Sequence, residues 1–136
     1  MNNTRFSTAL HIMTLLGQSE DEVLTSEWMA GSININPVVV RKELGFLKEA
    51  GLVISRKGKV GGSLLSRNPE KISLADIYNA VKNSEVLGKK NNQPNPSCSI
   101  GKNINFHLNE LFVETDQMVI QFLGKKNLKD FIDQFV

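Results

Sequence analysis

The sequence predicts a mainly α-helical fold with one small β-hairpin and a long C-terminal helix. Three observations carry that prediction. Apolar residues recur at helical spacing through most of the 136-residue chain. One stretch, residues 52–67 (LVISRKGKVGGSLLSR), breaks that period with two short apolar-rich runs around a glycine-rich loop. A last apolar stripe, over about 102–123, is longer than any other.

The first helix is expected at 5–16, where Phe6, Ala9, Leu10, Met13 and Leu16 share a face and Gly17 is the expected C-cap. A polar loop, 18–22, follows. Thr25 then caps a short helix, 26–31, with Glu27 opposing the helix dipole in its first turn. Trp28 or Met29 is expected in the core, with Trp28 read as core rather than as a stacking platform, and Gly31 is expected to end the helix. After a turn at 32–35, Asn36-Pro37 starts a second helix, with Asn as N-cap and proline at the first helical position. Val40, Leu44 and Leu47 give it a buried face, and Gly51 closes it. Val38, Val39, Arg41 and Lys42 are left near its exposed N-terminal half.

Strands at 52–55 and 63–66 flank the loop 56–62, where Gly58, Gly61 and Gly62 permit positive φ. Ser73 and Asp76 have the spacing of a helix cap, and Leu74, Ile77, Tyr78 and Val81 form the apolar face of a helix at 74–82. Residues 83–97 hold four asparagines, two prolines and two adjacent lysines, which reads as a mobile loop. In the long helix, Ile104, Leu108, Leu111, Phe112, Val119 and Phe122 line one stripe; Leu128, Phe131, Ile132 and Phe135 suggest a short last helix.

Net charge is only +2, but its distribution is uneven. Residues 41–71 carry eight lysines and arginines against three acids. A single basic zone points to a localised polyanion partner. A helix, a short turn and a second helix with basic residues at its start, over roughly 25–50, is the helix-turn-helix layout. In that layout the second helix offers its first turns to the major groove. The hairpin that follows, tipped by Arg56, Lys57 and Lys59, reads as a wing. The expected fold is therefore a winged helix-turn-helix domain (1–83), a loop (84–101) and a dimerisation helix with a short terminal helix (102–136). The DNA-binding candidates are Thr25, Ser26, Asn36, Val38, Val39, Arg41, Lys42, Arg56, Lys57, Lys59, Gly61 and Gly62. The long stripe exceeds what a small domain can cover. A second copy is its expected acceptor, giving a homodimer on a pseudo-palindromic operator. The other reading has the helix fold back on its own domain.

The pieces RFSTALHIM, NPVVVRKELGFLKEAGLV, RKGKVGGSLL, ISLADIYNAV and NLKDFI resemble the bacterial winged helix-turn-helix regulators related to IscR, NsrR and CymR, the Rrf-two family. Within it the chain looks most like the YwnA-like branch. The resemblance extends over essentially the whole chain. It implies a dimeric, sequence-specific transcription regulator, usually a repressor. It implies base contacts from Val38, Val39, Arg41 and Lys42. Where relatives commonly carry an acidic residue and an amide, this chain has Arg41-Lys42. An arginine bridging guanine O6 and N7 is worth about 1–3 kcal/mol of discrimination, so a different operator is expected. Lys57 matches the family's wing arginine. Gly58-Lys59-Val60-Gly61-Gly62 stands where relatives often have Gly-Pro-Gly-Gly-Gly, which adds a cation.

Several relatives hold an iron–sulfur cluster on three cysteines before the long helix plus a fourth ligand. This chain has Cys98 alone, with His107 further on, so neither a cluster nor another metal cofactor is expected. A cluster shared between subunits would need the dimer axis at Cys98. Cys98 itself is either a redox sensor at a helix start or a small, partly buried packing residue beside Ile100, the second being preferred. His11 and His107 are read as structural.

No nucleophile elbow, P-loop or H-E-x-x-H motif is present, so an enzyme is not expected. The alternative function is a winged-helix adaptor that meets proteins without reading DNA. No apolar run approaches the ~20 residues of a membrane span, and the start of the chain lacks signal-peptide features. A single cysteine suits the reducing cytoplasm, the expected location. The sequence does not identify a small-molecule effector or partner protein.

Overall fold

The computed structural model describes residues 4–19, 21–59 and 61–135. Val60 of the wing motif lies outside the described residues. In chain order the elements are α1 (Arg5–Gln18), α2 (Ser26–Ile33), α3 (Pro37–Glu49), β1 (Val53–Arg56), β2 (Gly62–Leu65), α4 (Leu74–Val81), α5 (Ser99–Gly124) and α6 (Leu128–Ile132). The fold is mainly helical with one two-stranded antiparallel sheet, as the periodicity predicts.

α1 is the central post. Ala9, Ile12, Met13 and Leu16 are fully buried on it, and α3, α4 and α6 pack around it. Each large apolar side chain so buried contributes about 1.5–3 kcal/mol. The helix runs past the expected end at 16, and Gly17 is not a cap. It sits inside the helix where α6 crosses: a Cβ built there would stand 2.2 Å from Ile132 Cδ1. The glycine makes room rather than a turn.

α2 also runs longer than expected. Gly31 lies within it, and the helix ends at Asn34, whose φ of 63° and ψ of 50° place it in the left-handed region. Its N–H and that of Ile35 both reach the Ala30 carbonyl, at 2.7 and 3.1 Å. Asparagine tolerates this conformation, so it replaces glycine as the stop. With Met29, Ala30 and Ile33 on the inner face, Trp28 points away and is 57% exposed, against the expectation that it enters the core. α3 begins as predicted: Asn36 Oδ1 accepts from the Val38 N–H at 2.9 Å, Pro37 follows, and Val40, Leu44 and Leu47 are buried.

The hairpin pairs Val53 with Leu65 and Arg56 with Gly62. A short backbone bridge extends it: Leu24 and Ser63 exchange N–H···O bonds of 3.0 and 2.9 Å. This ties β2 to the residues that lead into α2. Ser73 and Asp76 form the predicted capping box of α4.

α5 starts at Ser99, three residues before the expected 102, so the loop before it is shorter than 84–101. The helix packs one face on α4. The chain then returns to the first domain. Leu74 N–H donates to the Lys126 carbonyl and Leu128 N–H to the Ile72 carbonyl, and Leu128 is fully buried in the core. α6 therefore completes the winged domain rather than extending the long helix. Among the described residues, no helix is long and apolar enough to cross a membrane.

Candidate nucleic-acid interface

The candidate interface is built from two helix starts and a hairpin tip. At α2, Thr25 Oγ1 accepts the Trp28 N–H at 3.1 Å, so this hydroxyl is committed to capping and Ser26 holds the first helical position. At α3, Asn36 is likewise a cap. These residues set the angle at which each helix starts.

The first turns of α3 present Val38, Val39, Arg41 and Lys42, all exposed. The two valines are large apolar groups in water, suited to a thymine methyl. Arg41 Nη1 donates to Glu27 Oε1 at 3.1 Å, so in the free protein the candidate base-reading cation is paired across the turn. Trp28, beside Glu27, adds an exposed ring and an indole N–H, a feature missed in the sequence because one residue of phase decides which side of a short helix faces inward.

At the hairpin, Arg56, Lys57, Gly58 and Lys59 are exposed, and none of the three cations forms an ion pair among the described residues. Gly58 has φ 122°, which glycine adopts without strain. Gly62 has a packing reason: a Cβ there would lie 2.6 Å from the Leu24 carbonyl oxygen. A Cβ on Gly61 would meet the Arg56 and Gly58 carbonyl oxygens at 3.0 and 3.1 Å. Both glycines thus hold the wing in place through its backbone.

α5 has two faces. One meets its own chain. Asp116, buried, accepts from Tyr78 Oη at 2.7 Å and from Lys82 Nζ. Burial pushes the Asp116 carboxyl up, but the bonds from Lys82 and Tyr78, the Lys82 charge and the Val86 N–H outweigh it and hold it below the usual carboxylate range. Burial, and then the bond to Asp116, push the Tyr78 phenol above its ordinary value. Phe112, expected in the dimer stripe, lies on this intrachain side. It is 8% exposed with Lys90 Nζ 5.8 Å from its ring centroid. The other face leaves Ile100, Ile104, Leu111, Met118 and Phe122 exposed, at spacings of 4, 7, 7 and 4 along the helix. Leu108 and Val119 are half-buried. Ile100 and Met118 were not foreseen, since the sequence does not say which side the chain's own domain will use.

Cys98 is exposed, against the preferred reading of a partly buried packing residue. It caps α5, and its Sγ accepts the Gly101 N–H at 3.4 Å. The Gly101 and Ile100 N–H groups lower its pKa. His11 Nε2 lies 3.0 Å from Ser32 Oγ, linking α1 to α2.

Four likenesses to known proteins bear on this geometry. The family described as Rrf2, iron-dependent transcriptional regulator, matches residues 2–134. A Bacillus subtilis (strain 168) protein named as an HTH-type transcriptional regulator, YwnA, is 41% identical over 133 residues, covering 98% of both chains. The crystal structure of a protein described as DNA-binding superposes with a TM-score of 0.75 at 36% identity, over 94% of this chain and 98% of its own. CymR (YrzC), the global cysteine regulator of B. subtilis, shares the fold at 21% identity and TM-score 0.73, over 100% of this chain and 98% of its own. The iron in the family description finds no matching donor set here. The chain has one cysteine, and among the described residues no three His, Cys, Asp or Glu side chains converge. A cluster needs several thiolates, so the residues of this chain do not fit one.

Proposed function

This chain belongs to the Rrf2 family of transcriptional regulators, and from that premise we propose that it represses transcription by binding a pseudo-palindromic operator as a homodimer in the bacterial cytoplasm. The family and its relatives are DNA-binding regulators rather than enzymes, and the adaptor reading is not favoured. The observation that carries the proposal is the exposed α3 start followed by a wing whose three cations have no acidic partner among the described residues.

In this reading Arg41 and Lys42 reach base edges while Val38 and Val39 contact thymine methyls. Arg56, Lys57 and Lys59 meet phosphates or the minor groove. Thr25, Ser26 and Asn36 fix the helix starts against the backbone, and Gly61 and Gly62 hold the wing. The open stripe on α5, Ile100, Ile104, Leu111, Met118 and Phe122, has near-heptad spacing and supports a twofold helix pair. Leu108 and Val119 border that stripe.

The deciding experiment is selection of genomic fragments by the purified protein, followed by footprinting. A protected site with two inverted half-sites about one or two helical turns apart is expected. Recovery of random fragments, or of a single half-site bound by monomer, would overturn the proposal.

A further inference from the structure

A cavity of about 730 Å³ opens between the start of α1, the end of α4 and the loop 83–89. Its lining includes none of the DNA-binding candidates and none of the open α5 stripe. Small-molecule sites commonly span about 300–1,000 Å³, so its size suits a metabolite. Arg5, Lys82 and Lys89 line it, against one acid, Glu85. Lys89 has no ion-pair partner among the described residues. Phe6, Val86 and Leu87 supply apolar wall, and Tyr78 a hydroxyl. Arg5 and Lys82 each already face a buried carboxylate of this chain, which shows that these positions suit carboxylate oxygens, and the apolar wall suits an anion with an apolar body.

We infer that this cavity binds a small organic carboxylate, and that its occupancy sets operator affinity through two ion pairs whose cations, Arg5 and Lys82, line the cavity. The first pair joins α1 to α3. Arg5 Nε donates to both carboxylate oxygens of Glu43, at 3.2 and 3.3 Å, and its guanidinium lies 4.5 Å over the Phe46 ring. Glu43 is only 2% exposed, and it sits one residue after Lys42 on the proposed reading helix. The second pair joins α4 to α5 through Lys82 and the buried Asp116, which also accepts the Val86 N–H from the cavity rim. A bound carboxylate competes with Glu43 and Asp116 for the same cations. A buried carboxylate cannot lose its cation without large cost, so α3 and α5 shift with the occupant. Coupling of this kind is reciprocal: operator binding changes carboxylate affinity by the same factor. The coupling rests on the operator-binding reading; carboxylate binding does not.

The test begins with the full-length protein without DNA. Benzoate, phenylacetate and hexanoate are titrated, each beside its uncharged amide, while backbone amide NMR resonances are followed. Saturable shifts at Tyr78, Lys82 and residues 84–89 are expected from at least one acid and from none of the amides. Lys89→Glu, a surface change outside both ion pairs, is expected to weaken that binding by roughly threefold to fivefold. No saturation by any acid, equal binding of the amides, or shifts centred on the α5 stripe overturn the site. Operator titrations with and without the tightest acid follow. A shift in operator affinity that Lys89→Glu diminishes is expected, and unchanged affinity at saturation overturns the coupling. A protein that takes the acid but binds no duplex leaves the site standing and removes both the coupling and the operator reading.

Discussion

The Arg41 guanidinium lies 3.1 Å from the Glu27 carboxylate, across the turn that separates α2 from α3. Both side chains are more than half exposed, so the pair contributes only about 0–1 kcal/mol. That is small beside the ~1–3 kcal/mol a bidentate arginine–guanine contact supplies. A duplex read by Arg41, as proposed, would take it from Glu27 at little cost. Glu27→Gln is expected to tighten binding to every duplex by up to about fivefold, by freeing Arg41 and removing a negative charge near phosphates. Arg41→Ala is expected to relax base preference at one position of each half-site. Anisotropy titrations over single-base operator variants measure both; an Arg41→Ala protein that still discriminates like wild type would remove Arg41 from the reading set.

The wing cations predict a salt effect. Each phosphate contact contributes about −0.9 to the slope of log K against log salt. Lys57→Ala with Lys59→Ala is expected to flatten that slope by up to about 1.8 per wing while leaving the order of preferred sequences intact. Titrations across a salt series measure it, and an unchanged slope would place both lysines away from the duplex.

Gly62→Ala tests the anchor of the wing. The added methyl would meet the Leu24 carbonyl, a backbone atom that cannot swing aside. The Leu24–Ser63 bridge should open, at a cost of about 1–3 kcal/mol. Thermal unfolding and hydrogen exchange at the Ser63 amide report it. Wild-type protection of that amide would contradict the packing reason for this glycine.

The two faces of α5 predict opposite phenotypes. Met118, 70% exposed, replaced by glutamate should leave the monomer fold intact and dissociate the proposed dimer. Phe112→Ala should keep the dimer and lower stability by about 3 kcal/mol, the cost of emptying a buried aromatic site. Sedimentation separates the outcomes; a Met118→Glu protein that remains dimeric would rule out this seam.

Asp116 predicts a pH dependence with a definite sign. Its folded pKa lies below the ordinary carboxylate value, so the ion adds stability at neutral pH and loses it as acid protonates it, from about pH 4 downward. Tyr78 shifts upward, so its contribution is full below about pH 10 and declines only as alkali removes the phenol proton. Asp116→Asn should cost about 1–3 kcal/mol and flatten the acid limb of the stability curve. Denaturant midpoints across pH test this.

Elements whose ends are set by local chemistry were legible in the sequence. Thr25, Asn36-Pro37 and the Ser73–Asp76 box each cap with atoms a few residues away, and the structure uses all three. Features decided by distant neighbours were not. Gly17 resembles a helix stop because nothing nearby reveals that Ile132 will cross it. Trp28 looks like core until the length of α2 sets its phase. The Arg5–Glu43 and Tyr78–Asp116 contacts each join residues 38 apart, and no spacing rule reaches that far. Within the candidate interface, the basic helix start and wing are legible from capping residues, glycines and charge, whereas the pairing of Arg41 with Glu27 requires three dimensions.

The position of Leu128 also bears on how the protein is made. The core of the winged domain lacks one of its fully buried apolar residues until Leu128 leaves the ribosome. Synthesis proceeds from the N-terminus at about 5–20 residues per second, so the wing, which ends at Leu65, emerges about 3–13 seconds before Leu128 arrives. A nascent chain thus carries every cation of the wing without a finished scaffold to aim them. A chain that stops short of Leu128 is therefore expected to carry the wing without the packed core that aims it.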